Sequence, residues 1–172
     1  MSISRGYDRD LTNRKRDIVH AFNLYKQGCR CQRCGERHPA CLMFYDTKAK
    51  TKISITYARR NWHDGDEAFE KLRECECYCS NCFAKKFERP DLEEQRGFRA
   101  WIRNHKREQG CVQCHEDDPI CLEYHHTDPS EKEINIAQCK SKTRALQEIE
   151  KCEVLCLKCH DMLHWEEEKQ IT

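Results

Sequence analysis

Four Cys-x-x-Cys pairs, set out in the same order twice along the chain, restrict this sequence more than any other feature. Sliding the chain against itself by eighty residues brings Cys31, Cys34, Glu36, Pro39, Cys41 and Leu42 onto Cys111, Cys114, Glu116, Pro119, Cys121 and Leu122. Further on the offset falls to seventy-seven, and CECYCSNCFAKKF (Cys75 to Phe87) lies over CEVLCLKCHDMLH (Cys152 to His164). Agreement in identity, order and spacing marks an internal repeat, so the chain is expected to fold as one module built twice.

That module cannot rest on apolar burial alone. With 172 residues, 38% of them hydrophobic and 35% charged, the chain is lean for one large core, and its 15 cysteines are the obvious supplement. The N-terminus has no apolar signal-peptide core, and no stretch approaches the roughly 18 apolar residues of a membrane span. The expectation is a soluble, intracellular, cytoplasmic protein in a reducing compartment, where such cysteine pairs bind metal rather than form disulfides. Two pairs supply the four sulfurs of a tetrahedral zinc. One structural zinc is therefore assigned to Cys111, Cys114, Cys156 and Cys159, and another to Cys31, Cys34, Cys79 and Cys82. In the first copy Cys29 could replace Cys31 and Cys77 could replace Cys79, and alignment with the second copy favours the stated set. Cys41, Cys121, Cys139 and Cys152 read as small buried hydrophobes.

Each copy follows one plan. A helical lead-in (RDIVHAFNLYK or RGFRAWIRNHK) ends at a Gly-Cys turn. After the first cysteine pair come a short strand (CLMFY or CLEYH), a polar loop, and a helical stretch (DEAFEKLRE or TRALQEIEK) before the second pair, which opens into a helix. The seam is expected at ERPDLEEQ, around Pro90, giving domains over 1–90 and 91–172.

If four cysteines hold the C-terminal zinc, His160 and His164 are left over. They stand at i and i+4 on a helix, on one face, where two nitrogens can converge on one ion. His125 and His126 are adjacent on a strand and point to opposite sides. One of them can join His160 and His164 on an ion while its neighbour stays off it. An imidazole, which ordinarily titrates near neutrality, can there take a proton from water. The plainer alternative is a further structural zinc site.

The combination CVQC…LEYHHTDPSEK…KCEVLCLKCHDMLH, covering about residues 111–165, closely resembles the HNH endonucleases, the zinc-bearing branch of the ββα-metal nucleases. The resemblance implies an α+β fold of small, zinc-stabilised tandem ββα-metal modules, each with its helical lead-in. It also implies metal-dependent hydrolysis of nucleic-acid phosphodiesters, leaving 5′-phosphate. By motif position His125, His160 and His164 would hold one catalytic divalent cation (Mg²⁺, Mn²⁺, Ni²⁺ or Zn²⁺), and His126 would be the general base. Lys151 stands where the family carries an Asn that orients the base. It is expected either to touch phosphate or to leave that steering to a backbone carbonyl. The first copy has Tyr45 and Asp46 for the strand histidines and Phe83 and Phe87 for the helical ones, so it is expected to keep its zinc and catalyse nothing.

The formal net charge of +1 hides an asymmetry: residues 1–90 carry 19 Lys+Arg against 12 Asp+Glu, residues 91–172 carry 12 against 18. A basic first half suits phosphate contacts, with Arg59, Arg60, Lys85 and Lys86 as candidates and Tyr57 and Trp62 for stacking. Lys140, Lys142 and Arg144 are candidates in the second half. The expected partner is nucleic acid, chiefly double-stranded DNA. The competing reading is a catalytically inactive zinc-binding protein that binds nucleic acid or a protein partner, its first copy serving only to pack.

Overall fold

The structure, a computed structural model, describes residues 4–87, 96–139 and 141–171, with side chains described from residue 11 to residue 166. Helices and two small antiparallel sheets make a mixed α/β chain, which divides into two compact units, Met1–Cys79 and Ser80–Thr172. The seam expected around Pro90 lies outside the described residues.

The first unit opens on helix α1 (Ser4–Gln27), which turns Ile18 and Phe22 inward, 0% and 2% exposed. Strands β1 (Leu42–Asp46), β2 (Thr51–Ile53) and β3 (Glu76–Cys79) form a sheet in the order β2-β1-β3. On β1, Leu42 and Phe44 alternate onto the buried face, and the Phe44 ring meets Phe22 edge-on at 5.4 Å. Helices α2 (Ile55–Asn61) and α3 (Gly65–Arg73) lie between β2 and β3. Ser54 and Asp64 cap them by accepting from the Tyr57 and Glu67 N–H groups. Three features go beyond the sequence pattern, one of them strand β3 just before the second cysteine pair. Helix α1 starts well before the amphipathic stretch that marked it, and the polar loop after β1 contains β2 and α2. Strand β2 is legible only through its partner, because Thr51 and Lys52 are polar and Ile53 gains its meaning by pairing with Phe44.

The second unit begins with α4 (Ser80–Phe87), a helix encoded in the first copy of the repeat. It packs on the 3₁₀ turn Pro119–Cys121 and on α7 (Leu157–Ile171). Asn81, 3% exposed, makes the join: its Oδ1 accepts from the Lys158 N–H at 3.1 Å and its Nδ2 donates to Glu116 at 3.3 Å. Helix α5 (Phe98–Gln109) is the lead-in, and α6 (Lys142–Ile149) follows Ser141, whose Oγ caps it. Strands β4 (Leu122–His126) and β5 (Cys152–Cys156) pair antiparallel, with Leu122 opposite Cys156 and His126 opposite Cys152. One small core joins Leu122, Val154 and Leu155 to the cysteines, and another joins Ile136, Ala145 and Ile149 to Phe98, Trp101 and Ile102. Cys41 and Cys121 are fully buried and Cys139 nearly so, whereas Cys152, expected inside, is half-buried. Among the described residues no helix is long and apolar enough to cross a membrane.

Candidate functional site

The first cysteine turn of each copy is closed in the same way. Cys31 N–H donates to Glu36 O at 2.7 Å and Gly35 N–H to Cys31 O at 2.9 Å; Cys111 N–H donates to Glu116 O at 2.8 Å and His115 N–H to Cys111 O at 2.9 Å. Each turn is then fastened to the strand that leads to the second pair, through Gln32 N–H to Cys77 O at 2.9 Å and Val112 N–H to Val154 O at 3.0 Å. The turn supplies two sulfurs, the end of the strand the third and the helix that follows the fourth.

The sulfurs of Cys31, Cys34, Cys79 and Cys82 all lie within 4.8 Å of one another, and so do those of Cys111, Cys114, Cys156 and Cys159. None of the 15 cysteines forms a disulfide. The Cys34–Cys79 and Cys114–Cys156 sulfurs are 3.6 and 3.5 Å apart, close to the edge of about 3.8 Å that a zinc–sulfur length of about 2.3 Å gives a tetrahedron. Burial would raise the Cys31 and Cys111 thiols, but backbone N–H groups aimed at their sulfurs outweigh it and bring both down to about 7. Burial pushes Cys114 and Cys159 up, an effect that a cation bound to their sulfurs would oppose. Both sets could bind a structural metal such as zinc. Of the alternatives, Cys77 is pushed to about 12 by burial and lies outside the set, as does Cys29.

The leftover histidines converge elsewhere. The nearest nitrogens of His125, His160 and His164 fall within 4.8 Å of one another. The Nε2 atoms of His160 and His164 are 3.1 Å apart, close to the edge of about 3.3 Å between two nitrogens on one tetrahedral ion. Glu123 lies two residues before His125 on the same face of β4, and its Oε2 is 3.2 Å from His160 Nδ1. That hydrogen bond holds the Glu123 carboxyl below the usual carboxylate range against the opposing effect of burial. With Nδ1 so engaged, His160 keeps Nε2 for an ion, the usual arrangement of a carboxylate behind a ligating histidine. These three rings form a candidate metal group distinct from both sulfur sets.

His126 points off the other face of β4, and its Nε2 lies 2.8 Å from Glu148 Oε1 on α6. The Glu148 side chain is 1% exposed, the His126 side chain 10%. Oε1 also accepts from the Glu133 and Ile134 N–H groups at 2.9 and 3.3 Å, and Oε2 accepts from Lys151 Nζ at 3.2 Å. Burial works to raise this carboxyl, but the donors prevail and hold it at about 2. Lys151 Nζ donates further to Glu133 at 2.6 Å and to the Glu131 carbonyl at 3.1 Å. Its ammonium therefore sits in a cage of oxygens, on the carboxylate rather than on the His126 ring.

All four imidazoles open on one cleft of about 860 Å³, whose walls also carry Arg99, Arg103 and Lys132. Arg103 Nε is buried there without a hydrogen-bond partner. The positive candidates of the sequence have varied fates. Arg59 and Arg60 are exposed in the last turn of α2. Lys85 donates to both Glu116 oxygens at 2.8 Å, Lys86 lies over the Phe87 ring, Lys142 over the Trp101 ring, and Arg144 pairs with Glu133 at 2.6 Å. Lys140 lies outside the described residues. Trp62, offered for base stacking, is 5% exposed and packed on Phe22 and Tyr57, so its faces belong to the core.

The corresponding positions of the first copy make contacts of other kinds. Asp46 accepts from the Lys48 and Ala49 N–H groups and shapes the turn between β1 and β2. The Phe83 and Phe87 rings pack together at 4.9 Å.

The sequence pattern missed Glu148 and Glu123. Both left a signal: Glu148 shares a helical face with Ala145 and Ile149, a carboxylate at a core position, and Glu123 shares a strand face with His125. Comparison with family models, with curated proteins and with solved structures finds no match for this chain.

Proposed function

We propose that the second unit is a metal-dependent endonuclease centre of the HNH kind that hydrolyses nucleic-acid phosphodiesters, with double-stranded DNA as substrate. One observation carries the reading. Three imidazoles can share an ion, and a fourth is held off that group against a buried carboxylate, yet all four line one cleft. A purely structural zinc site has no use for the fourth ring or for an open cleft beside it.

In this reading His126 takes the proton from the attacking water, whose oxygen bonds to phosphorus as the bond to the 3′ oxygen breaks, leaving a 5′-phosphate. A divalent cation held by His125, His160 and His164 would supply Lewis-acid stabilisation of the charge gathering on the phosphate and the leaving oxygen. Arg103 and Lys132, on the cleft wall, seat the phosphate oxygens through charge-assisted hydrogen bonds. Glu123 orients His160. The two sulfur sets take no part in the reaction and hold the frame.

Nicking of supercoiled plasmid in Mg²⁺, Mn²⁺, Ni²⁺ or Zn²⁺ tests it. The wild-type chain is expected to nick with at least one of these ions, and His126→Ala to nick at least about 100-fold more slowly, the lower range for loss of a general base. Full activity in His126→Ala refutes the assigned base. No nicking by the wild type with any of the four ions refutes the enzyme and leaves the zinc-binding, nucleic-acid- or protein-binding alternative.

A further inference from the structure

We infer that Glu148 is the positioning residue for His126, holding its ring as the Nε2–H tautomer so that Nδ1 is the nitrogen left to accept a proton. The inference rests on the nuclease reading for its consequence, though not for its geometry.

An ionised carboxylate can only accept hydrogen bonds, so a ring nitrogen 2.8 Å from Glu148 Oε1 carries the hydrogen. In the neutral imidazole the other nitrogen then carries the lone pair. Glu148 cannot swing away from this duty. The backbone N–H groups of Glu133 and Ile134 hold Oε1 from one side, and Lys151 Nζ holds Oε2 from the other. An acceptor fixed at three points besides the ring, and 1% exposed, is a rigid reference for the ring it touches. The ionised form is secured as well, since the same donors hold the carboxyl at about 2 against the upward push of burial.

The arrangement also gives Lys151 a duty. The resemblance places a ring-orienting Asn at this position, and a lysine, which has no acceptor, cannot accept a hydrogen from imidazole. Here Lys151 works one step removed: it grips Glu133 and Glu148, and Glu148 grips the ring. The orienting acceptor has moved from residue 151 to residue 148, and an ionised carboxylate replaces a neutral amide. The carboxylate behind His126 fixes the orientation of the ring, as the aspartate does in a Ser-His-Asp triad.

The test is a long-range ¹H–¹⁵N correlation of the His126 ring in the full, zinc-loaded chain, beside plasmid nicking, for wild type, Glu148→Ala, Glu148→Gln and Glu148→Asp. The wild-type neutral ring is expected to show a protonated Nε2 and a bare Nδ1. Glu148→Ala is expected to show exchange between both tautomers and a turnover rate about 10²–10⁴-fold lower, with KM for plasmid unchanged, the range for disabling a general base, with the upper end that of losing the carboxylate behind a base histidine. Glu148→Gln, whose amide oxygen still accepts, is expected to keep the tautomer and recover part of the rate, so the result does not depend on the alanine variant folding. A wild-type ring protonated on Nδ1, or an unchanged tautomer and rate in folded Glu148→Ala, overturns the inference and leaves the nuclease reading standing. A fixed Nε2–H tautomer in a chain that nicks nothing overturns the nuclease reading and leaves Glu148 as the ring's anchor.

Discussion

His115 sits at φ 60°, in the left-handed region, at the place where the first copy has Gly35 at φ 79°. The cysteine turn requires that conformation, and a side chain with a Cβ bears a cost of about 1–2 kcal/mol for it. His115→Gly is therefore expected to stabilise the second unit by about 1 kcal/mol despite the looser unfolded chain, seen as a higher urea midpoint of the zinc-loaded protein. An unchanged or lower midpoint contradicts this account of the turn. Residues of this kind are legible in sequence because the repeat aligns them. Glu148 is the opposite case: only Lys151, three residues on, is a local partner, whereas His126 and Glu133 come from β4 and the loop after it, and no local period connects them to α6. A charged residue on the buried face of α6 was the only trace, and it looked like an ordinary surface glutamate. The candidate ligands were readable because cysteine pairs and a histidine pair at metal-binding spacing stand out, whereas Glu123 and Glu148 are hidden among 30 acidic residues.

At the scale of elements, the helices were legible from their periodicity and the strands largely from their partners. Strand β1 could be read alone because Leu42 and Phe44 alternate, but β2 is polar and short, and only the register with β1 makes it a strand. The most informative element is α4. The repeat assigns it to the first copy, yet it packs within the second unit, where Asn81 Oδ1 satisfies the Lys158 N–H in the first turn of α7. Helix α7 carries both His160 and His164, so α4 helps to hold the imidazoles in place. Asn81→Ala removes a cap worth about 1 kcal/mol and is expected to lower the urea midpoint of the zinc-loaded chain accordingly. It also frees Glu116 from one of its partners while Lys85 remains. A midpoint equal to wild type contradicts the capping role. No local pattern could have revealed this contact, because Asn81 and Lys158 are far apart in sequence.

For the molecule as a whole, one plan was written twice and then used for different ends. Both copies keep the four sulfurs, while only the second keeps the imidazoles. The sulfur groups and the imidazole group are separate in the structure, and this separation predicts how the chain responds to loss of metal. Stripping the sulfur sets with a strong chelator is expected to collapse the far-UV circular dichroism, because the cores described above are small and metal binding supplies folding free energy. Removing an ion from the imidazoles alone is expected to leave the spectrum intact.

The measurement that reaches this claim most directly is metal stoichiometry by equilibrium dialysis against Zn²⁺ or Co²⁺. The wild-type chain is expected to bind three ions, one for each group of ligands, of which two resist exchange, and His160→Ala to bind two. Two ions at saturation in wild type, or three in His160→Ala, would contradict the division between sulfur that builds and imidazole that acts.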